Sequence, residues 1–306
     1  MSYRQLVTRY WILAISISCD CECNRDFSPT EHRGLQLGLH VAIESTALYS
    51  VDVERFEFCR DALRLSYLDW GGNGRVLIAL HAHVMEALTF APLAAALAPE
   101  WRVVALDQRG HGYSDHASSY SRNDYISDLE AFVDHLGLTN FILLGNSLGG
   151  VNAYQFAARN PTKVRGLIVE DIGAEVWDDL SFALAWEGRF ATREALAERV
   201  GSRFLPYLID SFRETPAGWT LAFEPSEIVE SGRCLSGDHW PDWLATDCPA
   251  LLIRGRDSRV TTQAAVEQMA SRRPNTILNV IDGGHVVHFD NPAGFANAVK
   301  KFLGKP

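Results

Sequence analysis

What is scarce in this chain of 306 residues already narrows what it can be. Cysteine is scarce. Of the six, Cys59, Cys234 and Cys248 stand far apart, so no dense disulfide framework is expected to hold the fold. The other three crowd into Cys19-Asp20-Cys21-Glu22-Cys23, which lacks the Cys-x-x-Cys pairs and the second half of a tetrahedral zinc site, and no metal is expected there. Basic charge is in deficit, with 28 Lys and Arg against 38 Asp and Glu. The resulting net charge of −10 repels a phosphate backbone or an anionic lipid surface, so no nucleic-acid partner is expected. Long apolar runs are missing as well. The stretch Tyr10–Ser18 falls far short of the roughly 20 residues that span a bilayer, and no transmembrane segment is expected. It follows Arg4 and Arg9 in the manner of a short signal peptide and leads into a polar, patternless stretch. Residues 1–50 are therefore read as a leader, disordered or weakly signal-like. The expected location is cytoplasmic, with export the alternative if residues 1–18 act as a signal.

What is present is ample for a core: 47% of the residues are apolar, among them 15 Phe and 8 Trp. From Val51 onward, short apolar runs alternate with amphipathic stretches. Strands are expected at Glu54–Cys59, Leu63–Trp70, Val76–His81, Val103–Asp107, Phe141–Gly145, Gly166–Asp171, Ala250–Gly255 and Ile277–Ile281. Helices are expected at Leu88–Ala98, Arg122–Leu136, Leu148–Arg159, Thr262–Ser271 and Pro292–Leu303. Runs such as VLIAL and FILLG are apolar at nearly every position, as strands covered on both faces must be. The alternation predicts an α/β fold with a mostly parallel, eight-stranded sheet flanked by helices, opening on an antiparallel hairpin. It lapses over residues 174–247, where helical periodicity and bulky side chains (Trp177, Trp186, Phe190, Trp219) take over. That segment is expected to form a helical cap after the sixth strand, over the carboxyl edge of the sheet where open sheets bind ligands. The core is then 51–173 with 248–306.

The sharpest motif is Gly145-Asn-Ser147-Leu-Gly149, set directly between the strand FILLG and a helix beginning at Leu148. A turn this tight needs glycine two places before and after the serine, and it presents the serine hydroxyl at a strained backbone angle. The N-terminus of the helix directs N–H groups at the same spot, which favours an oxyanion there. Ser147 is the candidate nucleophile. A serine hydroxyl needs a base, and a base needs an orienting acid. His285, in the glycine-rich loop Asp282-Gly-Gly-His285-Val-Val-His288 after the last strand, is preferred as the base to His288, which packing at a helix start explains better.

The serine elbow, the Gly-Gly-His285 loop, the segment Asp107-Gln-Arg-Gly-His111-Gly-Tyr-Ser-Asp115 and the turn containing His81 resemble the α/β-hydrolase family in its order along the chain, from Val51 to Pro306. The resemblance implies a Ser–His–acid triad, an acyl-enzyme and no cofactor. A serine rather than an aspartate at the elbow disfavours the dehalogenase and epoxide-hydrolase branches. The family's usual acid position, after the strand ending at Gly255, holds Ser258, with Asp257 one place early. The family's other acid position, the end of the strand after the nucleophile helix, holds Asp171. Asp171 is preferred and Asp257 is the alternative; Glu170 is disfavoured because alternation turns it to the other side of the strand. By position, the backbone N–H groups of Leu148 and His83 would form the oxyanion hole. Ala82 stands where the family resembles His-Gly-x, and it forbids an easy positive φ, so an altered turn is expected. The imidazole of His83 would touch substrate, or else make a surface or cap contact, and His81 would bond the loop below. Arg109, Arg254 and Arg256 are carboxylate anchors only if they face the pocket. The expected activity is hydrolysis of an ester, lactone, amide or related acyl bond of a small molecule, by a monomer or homodimer, with a carboxylic ester foremost. The alternative is a small-molecule receptor of this fold with little turnover. The sequence does not specify the substrate.

Overall fold

The computed structural model describes residues 39–41 and 53–304. The apolar run Tyr10–Ser18, the triplet Cys19, Cys21 and Cys23, and most of the segment read as a leader lie outside the described residues. In chain order the first half of the sheet comprises β1 (Leu39–Val41), β2 (Val53–Arg60), β3 (Leu63–Asp69), β4 (Arg75–Leu80), β5 (Trp101–Leu106), β6 (Phe141–Asn146) and β7 (Val164–Glu170). Its helices are α1 (Ala91–Leu97), α2 (Arg122–His135) and α3 (Leu148–Arg159). The cap follows, with β8 (Glu175–Val176), α4 (Arg193–Val200), α5 (Leu205–Leu208), β9 (Phe212–Thr215), β10 (Gly218–Leu221), α6 (Pro225–Leu235), β11 (Gly237–Asp238) and α7 (Trp240–Leu244). The chain then returns to the core through β12 (Ala250–Gly255), α8 (Gln263–Arg272), β13 (Thr276–Ile281), α9 (Val287–Asp290) and α10 (Pro292–Leu303).

The sheet runs in the order β1-β2-β3-β5-β4-β6-β7-β12-β13. The pairs β1–β2, β2–β3 and β3–β5 are antiparallel, and every pair from β5 to β13 is parallel. All eight strands expected from the sequence are therefore in one sheet, and Leu39–Val41 adds a ninth at its edge. Along β4 the side chains alternate between two cores. Ile78 and Leu80 pack with Leu129, Phe132 and Val151 from α2 and α3, whereas Leu77 and Ala79 pack with Leu93, Leu97, Phe295 and Val299 from α1 and α10. This two-sided burial explains why β4 and β6 carry no polar face, and each fully buried Leu, Val or Phe contributes about 1.5–3 kcal/mol. Ser121 caps α2 by accepting the N–H of Asp124, and Asn291 caps α10 by accepting that of Gly294.

The cap has its own apolar centre of Trp186, Leu196, Leu208, Phe212, Phe223 and Ile228, whereas Trp240 and Trp243 join the core of the sheet. It also contains two short antiparallel ribbons, β9–β10 and β8–β11, that the helical periodicity did not announce. The first turns through Pro216 and Ala217 to Gly218, whose φ is +112° and whose place leaves only 2.5 Å between an added Cβ and the Phe190 carbonyl oxygen. No helix among the described residues is long and apolar enough to cross a membrane.

Candidate active site

Ser147 sits between β6 and α3 with φ 52° and ψ −115°, a conformation that costs a non-glycine residue about 1–3 kcal/mol. Close packing of α3 against the sheet imposes it. A Cβ on Gly145 would lie 2.0 Å from the Gly149 carbonyl oxygen, and one on Gly149 would lie 2.2 Å from that of Leu80. Both flanking glycines are thus required by backbone contact, and between them Ser147 keeps 6% of its surface exposed while Asn146 and Leu148 are fully buried.

Three segments meet at this turn. The N–H of Ser147 donates to the Glu170 carbonyl at 3.0 Å, tying the elbow to the end of β7. Asn146 Nδ2 donates to the same carbonyl and to the His285 carbonyl, each at 3.1 Å, tying the elbow to the loop after β13. His285 Nδ1 donates to Asp171 Oδ2 at 2.7 Å. The acid is itself held: Asp171 has φ 50°, its N–H donates to Ile253 O at 2.8 Å, and its carboxylate accepts Gly255 N–H at 3.1 Å and the Ser258 hydroxyl. With Nδ1 carrying the proton toward a buried carboxylate, Nε2 of His285 is left as the basic nitrogen. Among the described residues, neither that nitrogen nor the Ser147 hydroxyl has a hydrogen-bond partner.

Of the sequence candidates, the structure brings Asp171 rather than Asp257 to His285. Asp257 is exposed, and its backbone N–H donates to Gly283 O. Ser258, in the place where the resemblance puts the acid, instead donates to Asp171, so the two family positions cooperate on one carboxylate. Glu170 turns away as alternation requires, and receives Nδ1 of His288 at 2.7 Å and the N–H of His288 at 2.8 Å. The cross-link by Asn146 and the donation by Ser258 were missed in the sequence, although Asn146 stands inside the motif itself.

The 81–86 loop follows β4 and carries His83, expected from the sequence to offer its N–H to an oxyanion. His81 accepts the Gln108 N–H on Nε2 at 3.0 Å and donates from Nδ1 to Ala82 O, so it bonds the loop below as expected. The positive φ expected to be excluded at Ala82 falls instead on Val84, at 64°. Among the described residues no protein acceptor takes the N–H of Leu148 or of His83. Ala82 and Met85 pack on Val286, which brings this loop beside the His285 loop. The His83 ring goes to the cap, where Nε2 hydrogen-bonds Ser231 Oγ at 2.8 Å. Burial, with Arg122 and His81 nearby, pushes its pKa down to about 3, so it stays neutral and cannot store a proton near neutrality. From the cap, burial pushes the Asp178 carboxyl up while the charge of His285 opposes the shift.

The three arginines do not present free anchors. Arg109 is buried on Asp128 at 2.6 and 2.8 Å, Arg254 is spent on the carbonyls of Thr261, Arg256 and Ser258, and Arg256 pairs with Asp282 at the surface. Among the described residues no group of three or more His, Cys, Asp or Glu side chains is arranged to hold a metal ion.

Known proteins carry the same frame. The protein is 25% identical to a 2-(acetamidomethylene)succinate hydrolase of Mesorhizobium japonicum, over 76% of this chain and 89% of that one. It is 34% identical to a serine hydrolase-like protein of Danio rerio, over 76% of this chain and 83% of that one. The crystal structure of an E-2-(acetamidomethylene)succinate hydrolase superposes with a TM-score of 0.75 at 24% identity, covering 83% of this chain and all of that one. The model of the alpha/beta hydrolase family matches residues 76–298, from β4 to α10. Strand order, elbow and family match agree, and the chain belongs to the alpha/beta hydrolase family.

Proposed function

We propose that the protein is a serine hydrolase that cleaves an ester, lactone, amide or related acyl bond of a small molecule through Ser147, His285 and Asp171. The observation that carries this reading is the 2.7 Å bond from His285 Nδ1 to a buried Asp171, made in a loop whose backbone is pinned to the residue next to Ser147. His285 Nε2 takes the proton of Ser147 as the hydroxyl attacks the acyl carbon, and the oxygen that becomes negative lies against the N–H groups of Leu148 and His83. Collapse expels the leaving group, which receives the proton from His285, and an acyl-enzyme remains. Water then attacks with the same base, and Ser147 is restored. Asp171 keeps the imidazole in the tautomer with its proton on Nδ1 and stabilises the imidazolium that forms twice in each cycle. Relatives named as hydrolases support the reaction class, and one of them is named for an acetamido compound.

The test is turnover of p-nitrophenyl acetate together with labelling by a fluorophosphonate. Ser147→Ala should lose labelling completely and lower turnover by at least about 10³-fold. Undiminished turnover in that variant overturns the assignment, and labelling of Ser147 without any turnover would favour a ligand receptor.

A further inference from the structure

The oxyanion loop is anchored to the core at its two ends but to the cap in between. At one end Gln108 holds His81, and at the other Asp107 Oδ1 accepts the Ala87 N–H at 2.7 Å. Between them, three polar contacts come from three places in the cap. Ser231 of α6 bonds His83 Nε2 at 2.8 Å, Ser211 Oγ donates to the Val84 carbonyl at 3.3 Å, and Arg213 of β9 donates to Glu86 Oε2 at 2.5 Å. The segment needs such support. Val84 is β-branched and holds φ 64°, a region that L residues of its shape rarely enter, and no glycine replaces it.

Arg213 is placed to be the principal support. Its guanidinium lies 4.3 Å over the Tyr113 ring, and Arg55 lies 4.0 Å over the same ring while pairing with Asp107. The cap arginine is thereby linked to both Glu86 and, through Tyr113 and Arg55, the carboxylate that holds Ala87. Burial pushes the Glu86 carboxyl up and Arg213 opposes that shift. A buried ion pair of this kind is directional, and removing one partner leaves the other uncompensated.

We propose that Arg213 is a positioning residue for hydrolysis: through Glu86 it holds residues 83–86, with Val84 in its left-handed conformation, so that the His83 N–H meets the developing oxyanion only when the cap is seated. This rests on the reading of Ser147 and the His83 N–H given above. It makes oxyanion-hole assembly depend on a side chain that touches no substrate atom, and it couples cap docking to rate rather than to ground-state binding.

The test uses an aryl trifluoromethyl ketone, whose adduct with Ser147 places an oxyanion in the hole, alongside p-nitrophenyl acetate kinetics. Arg213→Ala should raise the inhibition constant and lower kcat by about 10- to 100-fold, less than the 10²–10³ lost when an oxyanion donor is deleted outright. KM should stay within about threefold, because uniform binding is untouched. Arg213→Lys, which retains the charge, should recover most of the loss. Glu227→Gln loosens a different cap–core contact, to His116 and Tyr120, and should leave both quantities unchanged. If Arg213→Ala does not fold, Glu86→Gln keeps the shape and removes the charge, and it is read in the same way. The inference is overturned if these variants keep the parent kcat and inhibition constant, if KM alone moves, or if Glu227→Gln behaves as Arg213→Ala does. The underlying reading fails separately, by activity surviving in Ser147→Ala; an inactive Ser147→Ala with an unaffected Arg213→Ala sinks only the positioning role.

Discussion

Glu170 and Asp171 leave the same strand one after the other, and each meets a histidine of the segment after β13 at 2.7 Å, yet the two pairs are built for different ends. The His288–Glu170 pair is sealed, with the side chains 1% and 0% exposed. Its second nitrogen is taken by the Thr89 hydroxyl at 2.7 Å, and its ring stacks on Phe90 at 4.6 Å. The His285–Asp171 pair buries the acid equally but leaves the imidazole 26% exposed, with Nε2 unclaimed among the described residues. An acid and an imidazole in contact are therefore not enough to make a base. What distinguishes the second pair is a nitrogen left over on a ring that is partly exposed.

The largest expected effects test the open pair. His285→Ala should lower kcat/KM by about 10⁵–10⁶, measured on p-nitrophenyl acetate, since a nucleophile and its base act as one unit. Asp171→Asn should cost about 10⁴, because the amide donates where the carboxylate accepted and so favours the wrong tautomer. A loss below tenfold would remove Asp171 from the proposed triad. The sealed pair should respond the other way round. His288→Ala strands the Glu170 charge in the core and should cost about 3–5 kcal/mol in urea unfolding, while the folded fraction retains most of its turnover. If turnover collapses with stability intact, the contrast between the pairs is wrong.

Acid tests a separate set of buried imidazoles. Burial lowers the pKa of His81, His83, His111 and His239, His83 to about 3. The unfolded chain then binds more protons than the folded one below about pH 6.5, the ordinary histidine value. Stability should be fully present above that pH and should fall as pH drops from about 6.5 toward 3, visible as a lower urea midpoint at pH 5 than at pH 7.5. The smallest effect belongs to Asp257→Asn, where an exposed side chain should change stability by no more than about 0.5 kcal/mol and leave turnover unaltered.

Much of this was legible along the chain. The eight strands and the helices α2, α3 and α10 follow from apolar runs and periodicity, within a residue or two at the ends. Gly145 and Gly149 announce a close approach because no other residue fits it. The β9–β10 ribbon was not legible, since its four-residue strands are too short for a period to register. Asn146 and Ser258 were not assigned because a side chain that bridges two carbonyls, or donates to a distant carboxylate, follows no repeat.

By itself the sequence determined the layered α/β architecture and the identity of a strained serine between a strand and a helix, because both depend on short-range patterns: two-sided burial, tight turns and helix starts. Only the tertiary structure decided which carboxylate reaches His285, which of two neighbouring histidines keeps a free nitrogen, and that the cap bonds the 83–86 loop. Those outcomes turn on contacts between residues more than a hundred positions apart, where a difference of one place along a strand or loop reverses the direction of a side chain and no local preference records the choice.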